Sequence, residues 1–244
     1  MSHRTIGAVV IVVPVHNEEV LLAACLDSIE TAISNVDIPC EVRVVLDACS
    51  DGSADIAARY AFEAMGIAAN AVGVARSRGV ASALSMFSRM PSDQIWIANT
   101  DADSTVPANW LTAQLDLAAS GTDVVVGTVR PDFNDLDPNH QDLWLRTHFA
   151  GAPNGHVHGA NLGVRASTYL AARGFSGSTE HEDVRLVESC RQVNATVTPS
   201  DAAEVVTSGR FTGRTPGGYA GYLREQSRAV HDALPYLPRV EDHC

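Results

Sequence analysis

The sequence predicts an α/β fold: a mostly parallel central sheet flanked by helices. Three observations carry this. Ala8–Val13 is an unbroken apolar, β-branched run, as expected of a strand buried on both faces. Strand-like and helix-like segments then alternate roughly every 25–30 residues through residue 128, the pattern of successive βαβ units. Polar residues gather where these strands end, which is where open α/β sheets take their ligands.

In order, Pro14–Asn17 reads as a turn, and a helix starts at Glu18 with Leu22, Leu26, Ile29 and Ile33 at helical spacing. Val42–Leu46 is a second buried strand and Asp47–Asp51 a turn. Ser53 is placed to cap a helix over Ala54–Met65. Ile67–Val72 is a weaker strand, and Ala75–Met90 a helix with Leu84 and Phe87 on one face. Gln94–Ala98 is a short buried strand. Pro107 opens the helix Ala108–Ala119, at a position where a missing N–H costs nothing. A strand over Asp123–Thr128 closes this half.

The second half is mixed. Arg130–Asn139, rich in Pro, Asp and Asn, reads as loop, and Gln141–Phe149 as helix. Gly159–Arg165 is a short strand, and Thr168–Arg173 a short helix ending at Gly174. Glu182–Gln192 is a helix, Ala195–Thr198 and Glu204–Thr207 are short strands, and Gly209–Gly218 is a loop before a helix near Tyr219–Ala233. The expectation is one domain over 1–244, with halves 5–128 and 129–234 and a polar tail, 235–244.

The formal net charge of −12 argues against a nucleic-acid surface or an electrostatic dock on anionic lipid. An anionic substrate then needs local positive charge, from a metal or from arginines. All 17 Lys+Arg residues are in fact arginine. Five scattered cysteines without Cys-x-x-Cys fit buried thiols in a reducing compartment. The first apolar run is too short for a signal peptide or a membrane span, so the expectation is a cytoplasmic protein with no integral membrane segment.

Asp101 and Asp103 follow a buried strand one residue apart. Two such carboxylates repel and raise each other's pKa, and a divalent cation relieves the repulsion. Alone, Asp-x-Asp after a strand is more often two solvated turn residues. Here it is the last of four polar groups in order: Pro14-Val15-His16-Asn17-Glu18, Asp47-Ala48-Cys49-Ser50-Asp51, Ala75-Arg76-Ser77-Arg78-Gly79 and Asp101-Ala102-Asp103. At βαβ spacing all four converge on one sheet edge.

In this combination the chain resembles the GT-A glycosyltransferases of the large family 2, over roughly residues 8–230. The resemblance implies a GT-A fold, a nucleotide-diphosphate sugar donor (UDP- or GDP-sugar) and a Mg²⁺ or Mn²⁺ cofactor. It implies that Pro14, His16 and Glu18 line the base and ribose, that Asp47 accepts from the base, and that Arg76 contacts the nucleotide. Asp103 would be the direct metal ligand, with Asp101 at the ribose or metal. Gly159 and Asn161, in Gly159-Ala160-Asn161-Leu162-Gly163, resemble the strand that floors the acceptor site. Glu182-Asp183-Val184-Arg185-Leu186 matches the family's Glu-Asp-x-x-Leu, which makes Asp183 the catalytic base of an inverting transfer and puts Glu182 beside the hydroxyl acceptor. Some GT-A enzymes take a third metal ligand from a C-terminal His, here His231. The sequence departs from the family's pattern at Leu46, Ala48-Cys49 and Ser77.

Each assignment has a plainer counterpart. Glu180, Glu182 and Asp183 also complement a helix N-terminus. Arg210 and Arg214, in Ser208-Gly209-Arg210-Phe211-Thr212-Gly213-Arg214, could fold over a diphosphate, because guanidinium suits phosphate, or could be solvated loop. His156-Val157-His158 finds no third ligand for zinc. Two rivals stay open: a retaining transferase without a base at Asp183, and a catalytically silent nucleotide-sugar-binding protein.

Overall fold

The computed structural model describes residues 5–149, 151–211 and 219–225. Strand β1 (Ala8–Val15) leads to helix α1 (Leu22–Ile33), β2 (Cys40–Asp47), the five-residue helix α2 (Ser53–Ala57), β3 (Glu63–Ile67) and α3 (Val72–Met86). Then follow β4 (Ile95–Asn99), the two-residue β5 (Ser104–Thr105), α4 (Trp110–Ala119), β6 (Val124–Pro131) and α5 (Pro138–Thr147). The chain continues through β7 (Leu162–Arg165), α6 (Ala166–Ala171), α7 (Glu182–Gln192) and β8 (Val197–Thr207). Residues 219–225 are helical.

One eight-stranded sheet runs through both halves, in the order β3-β2-β1-β4-β7-β6-β8-β5. The pairs β1·β2, β1·β4, β2·β3 and β6·β8 are parallel, whereas β7 runs antiparallel to both β4 and β6, and β5 antiparallel to β8. Each face is covered. Val9, Ile11 and Val13 of β1 pack with α1 and α4, and Val10 and Val12 pack on the other side with α3, α6 and α7. This two-sided burial is why β1 is apolar at every position rather than at alternate ones.

Several expected boundaries shift. The helix expected over Ala54–Met65 is only α2, and Glu63–Ile67 is the edge strand β3 rather than helix. That strand pairs with β2 alone and exposes Glu63, Ala64 and Gly66, so it lacks the apolar run that marks a buried strand. Ser53 does not cap α2; Gly52 stands there, and Ser53 Oγ accepts the N–H of Glu18 across the two loops. The loop expected over Arg130–Asn139 holds the end of β6 and the start of α5, whose Asp137 cap accepts from the N–H groups of Asn139 and His140. The two short strands expected near residues 195–207 are one strand, β8. Its register against β6 shifts between Gly127 and Val129, whose partners are Ser200 and Val205.

Candidate active site

The carboxyl ends of β1, β2 and β4 open into a cavity of about 950 Å³, lined also by the start of α7, residues 156–160 and the segment after β8. The loops that rim it are braced to one another. Asn17, at φ 53°, accepts the N–H of Ser50 on its side-chain oxygen, and Glu19 accepts the N–H of Gly52. His16 Nδ1 lies 2.6 Å from the carbonyl of Asp47.

Asp47 serves as an anchor. Its Oδ1 accepts from the N–H groups of Ala69 and Asn70, and its Oδ2 from that of Ala71, each at 2.8 Å. Three of about four acceptor positions of the carboxylate are thereby used to shape the entry to α3. Pro14 lines the wall beside it.

Asp101 and Asp103 take different surroundings. Asp101 receives Arg76 Nη2 at 2.5 Å and is about a third exposed. Asp103 is sheltered, with Ser104 and Thr207 hydroxyls near Oδ1 and Arg210 Nη2 at 2.7 Å from Oδ2. Burial, with Asp101 and Glu18 adding negative charge and Arg210 opposing them, pushes the Asp103 carboxyl up to about 6. Pairing of β5 with the end of β8 sets this position, since Ser104 and Thr207 are register partners.

Arg76 and Glu18 both line the cavity, and both are paired with other side chains. Arg76 projects from α3 into the cavity lining and is 1% exposed. It donates to Asp101, to Glu182 Oε1 at 3.1 Å and to the carbonyl of Thr100 at 3.4 Å. Burial opposes its charge, but Asp101, Glu182 and Asp183 more than offset this and raise its pKa. It therefore ties Asp101 to the start of α7. Glu18 is forked by Arg210, with contacts of 3.0 and 2.6 Å, and so stands on the Asp103 side of the cavity.

The cavity is also lined by the start of α7, which begins at His181 in a left-handed conformation (φ 57°). Asp183 Oδ2 accepts the N–H of Gly159 at 2.7 Å, and Oδ1 accepts its neighbour's N–H, from Val184, at 2.8 Å. The carboxylate thus lines the cavity in a fixed orientation. Glu182 is buried, which raises its pKa, while Arg76 opposes the rise.

Asn161 does not reach the acceptor side as expected. Its side chain is 2% exposed, accepts from Trp110 Nε1 at 3.0 Å, and donates to the carbonyls of Thr128 and Ala203 at 2.9 and 2.8 Å. It is a core bracket joining α4, β6 and β8. Gly127 makes room for it, since a Cβ there would overlap the carboxamide. Arg214 and His231 lie outside the described residues.

Sequence reasoning passed over an aromatic wall formed by His156, His158, Tyr219 and Tyr222. The ring of His158 meets Tyr219 edge-on at 5.8 Å. Burial, with His156 nearby, lowers the His158 pKa to about 4, so it is neutral near pH 7. The alternation His156-Val157-His158 was the only signal, and it reads as cavity lining rather than as a metal pair.

Among the described residues no group of three or more His, Cys, Asp or Glu side chains is arranged to hold a metal ion. The donor chemistry nevertheless suits Mg²⁺ or Mn²⁺, because Asp101 and Asp103 offer hard carboxylate oxygens at the cavity surface. A positive group, the Arg210 guanidinium, already stands between Glu18 and Asp103.

Solved structures share this architecture. S. aureus TarS 1–349 in complex with UDP-GlcNAc matches with a TM-score of 0.63 at 13% identity, over 91% of this chain and 65% of that one. The mannosyltransferase PcManGT from Pyrobaculum calidifontis, in complex with GDP-Man and Mn²⁺, matches with a TM-score of 0.58 at 22% identity, over 92% of this chain and 64% of that one. These likenesses establish the GT-A fold. By sequence, the chain is 34% identical over 142 residues to an undecaprenyl-phosphate 4-deoxy-4-formamido-L-arabinose transferase of Serratia proteamaculans, covering 58% of this chain and 40% of the relative. It is 31% identical over 172 residues to the protein of that name in Aeromonas hydrophila, covering 69% of this chain and 48% of the relative. It therefore spans less than half the length of these relatives. No helix among the described residues is long and apolar enough to cross a membrane. The model of the family described as glycosyl transferase family 2 matches residues 10–171, from β1 through α6, and the chain belongs to that family.

Proposed function

We propose that the chain is a glycosyltransferase that moves a sugar from a nucleotide-diphosphate donor to a hydroxyl acceptor, with inversion at the anomeric carbon. One observation carries the reading: Asp183 and the Asp101/Asp103 pair line one and the same cavity. The nucleoside belongs beside Pro14, His16 and Asp47, and the diphosphate beside Asp101 and Asp103. A Mg²⁺ or Mn²⁺ ion held by Asp103, with Asp101 alongside, would supply positive charge against the departing diphosphate.

The protein's own groups set up the attack. Hydrogen bonds from Gly159 and Val184 hold the Asp183 carboxylate in place, so that it can take the acceptor's proton as the hydroxyl oxygen bonds to the anomeric carbon. The C–O bond to the nucleotide breaks on the opposite face. Neutral His158 and Tyr219 offer apolar ring surface to the acceptor without adding charge.

Asp183→Asn tests this. Donor binding by calorimetry should survive, while transfer falls roughly 10²–10⁴-fold, the usual cost of losing a general base. Undiminished transfer in that variant rules out the base, and a product of retained anomeric configuration by NMR rules out inversion. A second reading follows from the relatives' name, which specifies a lipid-phosphate acceptor. A phosphate oxygen is already ionised at neutral pH and needs no base. Under that reading Asp183→Asn leaves transfer to a polyprenyl phosphate nearly intact.

A further inference from the structure

Arg210 makes a contact that the proposed reaction does not use. Its Nη1 donates to Glu18 Oε2 at 3.0 Å, and its Nη2 to Glu18 Oε1 at 2.6 Å and to Asp103 Oδ2 at 2.7 Å. Glu18 follows β1, Asp103 follows β4, and Arg210 follows β8, so three separate parts of the chain meet at one guanidinium. The two carboxylate side chains are largely buried, at 7% and 18% exposed, while that of Arg210 is 39% exposed and faces the cavity. The contact is therefore a charge pair closed on its acidic side and open on its basic side. Without Arg210, Glu18, Asp101 and Asp103 would crowd one end of the cavity with negative charge, while the other guanidinium nearby, Arg76, is committed to Asp101 and Glu182.

A divalent cation on Asp103 would compete for the carboxylate that Arg210 now holds through Oδ2. Two cations on one partly buried carboxylate repel each other, which favours exchange over coexistence. We propose that Arg210 is a displaceable resident cation: it neutralises Glu18 and Asp103 in the empty site and gives up Asp103 when a divalent cation enters with the donor. The inference rests on the reading that Asp103 ligates metal. Once displaced, the guanidinium remains at the cavity mouth, and its planar fork suits the donor's phosphate oxygens. Metal entry and phosphate capture would then be one exchange of partners. This explains why the carboxylates of the described site are not already arranged as a metal cage.

The test titrates Mn²⁺ by electron paramagnetic resonance, with and without UDP, on the wild type, Arg210→Gln, Arg210→Lys and Asp103→Asn. Arg210→Gln should bind Mn²⁺ at least about tenfold more tightly than wild type without UDP, and UDP less tightly, since it removes both the competitor and the phosphate partner. Those opposite signs are not the mark of a general loosening of the site. Arg210→Lys, which keeps the charge but cannot fork two carboxylates, should fall between. Equal Mn²⁺ affinity in wild type and Arg210→Gln, with weak binding in Asp103→Asn, overturns the exchange and leaves the metal reading standing. Absence of Mn²⁺ binding in the wild type with UDP present overturns both.

Discussion

Gly159 lies against the guanidinium of Arg76, and a Cβ on Gly159 would run into Nη2 and stand 3.1 Å from Cζ. The glycine is thus required by the arginine that joins Asp101 to Glu182, while its own N–H orients Asp183. Gly159→Ala should fold with near-normal circular dichroism, yet lose about two orders of magnitude in kcat/KM, because misplacing reacting groups by about 1 Å costs on that scale. Arg76→Lys should lose a similar factor, since an ammonium cannot span both carboxylates. The two changes should be strongly non-additive in a double-mutant cycle. Steady-state rates near wild type for Gly159→Ala would refute the link.

Asn161 predicts the opposite phenotype. Its carboxamide satisfies Trp110 and two carbonyls inside the core. Asn161→Ala should cost roughly 2–4 kcal/mol of unfolding free energy, because several buried polar groups lose partners at once. The KM values of the molecules that remain folded should not change. Urea denaturation beside steady-state kinetics separates this from an acceptor contact, which would raise the acceptor KM without lowering stability.

The raised pKa of Asp103 carries a stability cost. A carboxyl that titrates near 6 in the folded chain and near 3.8 when unfolded favours folding fully below the unfolded value, and that contribution is lost as pH rises through 6. At pH 7.5, in metal chelator, Asp103→Asn should therefore melt higher than wild type by about 2–4 °C, corresponding to about 1 kcal/mol in a chain of this size. The gap should shrink toward pH 4. A variant that melts below wild type at pH 7.5 would contradict the sign.

Ala48 sits at φ 52° just beyond β2, a conformation that costs an alanine about 1–2 kcal/mol. It is exposed, so little packing is lost on substitution. Ala48→Gly should raise stability by about 0.5–1 kcal/mol, the relieved strain less the added freedom of the unfolded glycine. An unchanged or lowered urea midpoint would show that the loop bears no such strain.

The parallel half was legible in sequence because its strands are buried on both faces and its helices on one. Each periodicity is then written in consecutive residues, as in Ala8–Val13 and in Leu22, Leu26 and Ile29. The edge strand β3 was misread as helix, because only Met65 and Ile67 pack against the core and two half-buried positions leave too short a pattern to find. The convergence of Pro14, Glu18, Asp47, Asp101 and Asp103 on one rim was also legible, since βαβ spacing alone sends successive strand ends to the same side.

The partners of those residues were not legible. That Arg76 turns down to Asp101 and Glu182, that Arg210 crosses 192 residues of sequence to reach Glu18, and that Asn161 faces the core are outcomes of long-range packing. In each case the residue type offers the hydrogen bonds, but the antiparallel insertion of β7 and the register of β8 decide which acceptors come within reach. Local sequence set where the charged groups stand along the chain. Only the assembled sheet determined which charges neutralise which, because that pairing depends on distances between segments that no spacing in the sequence encodes.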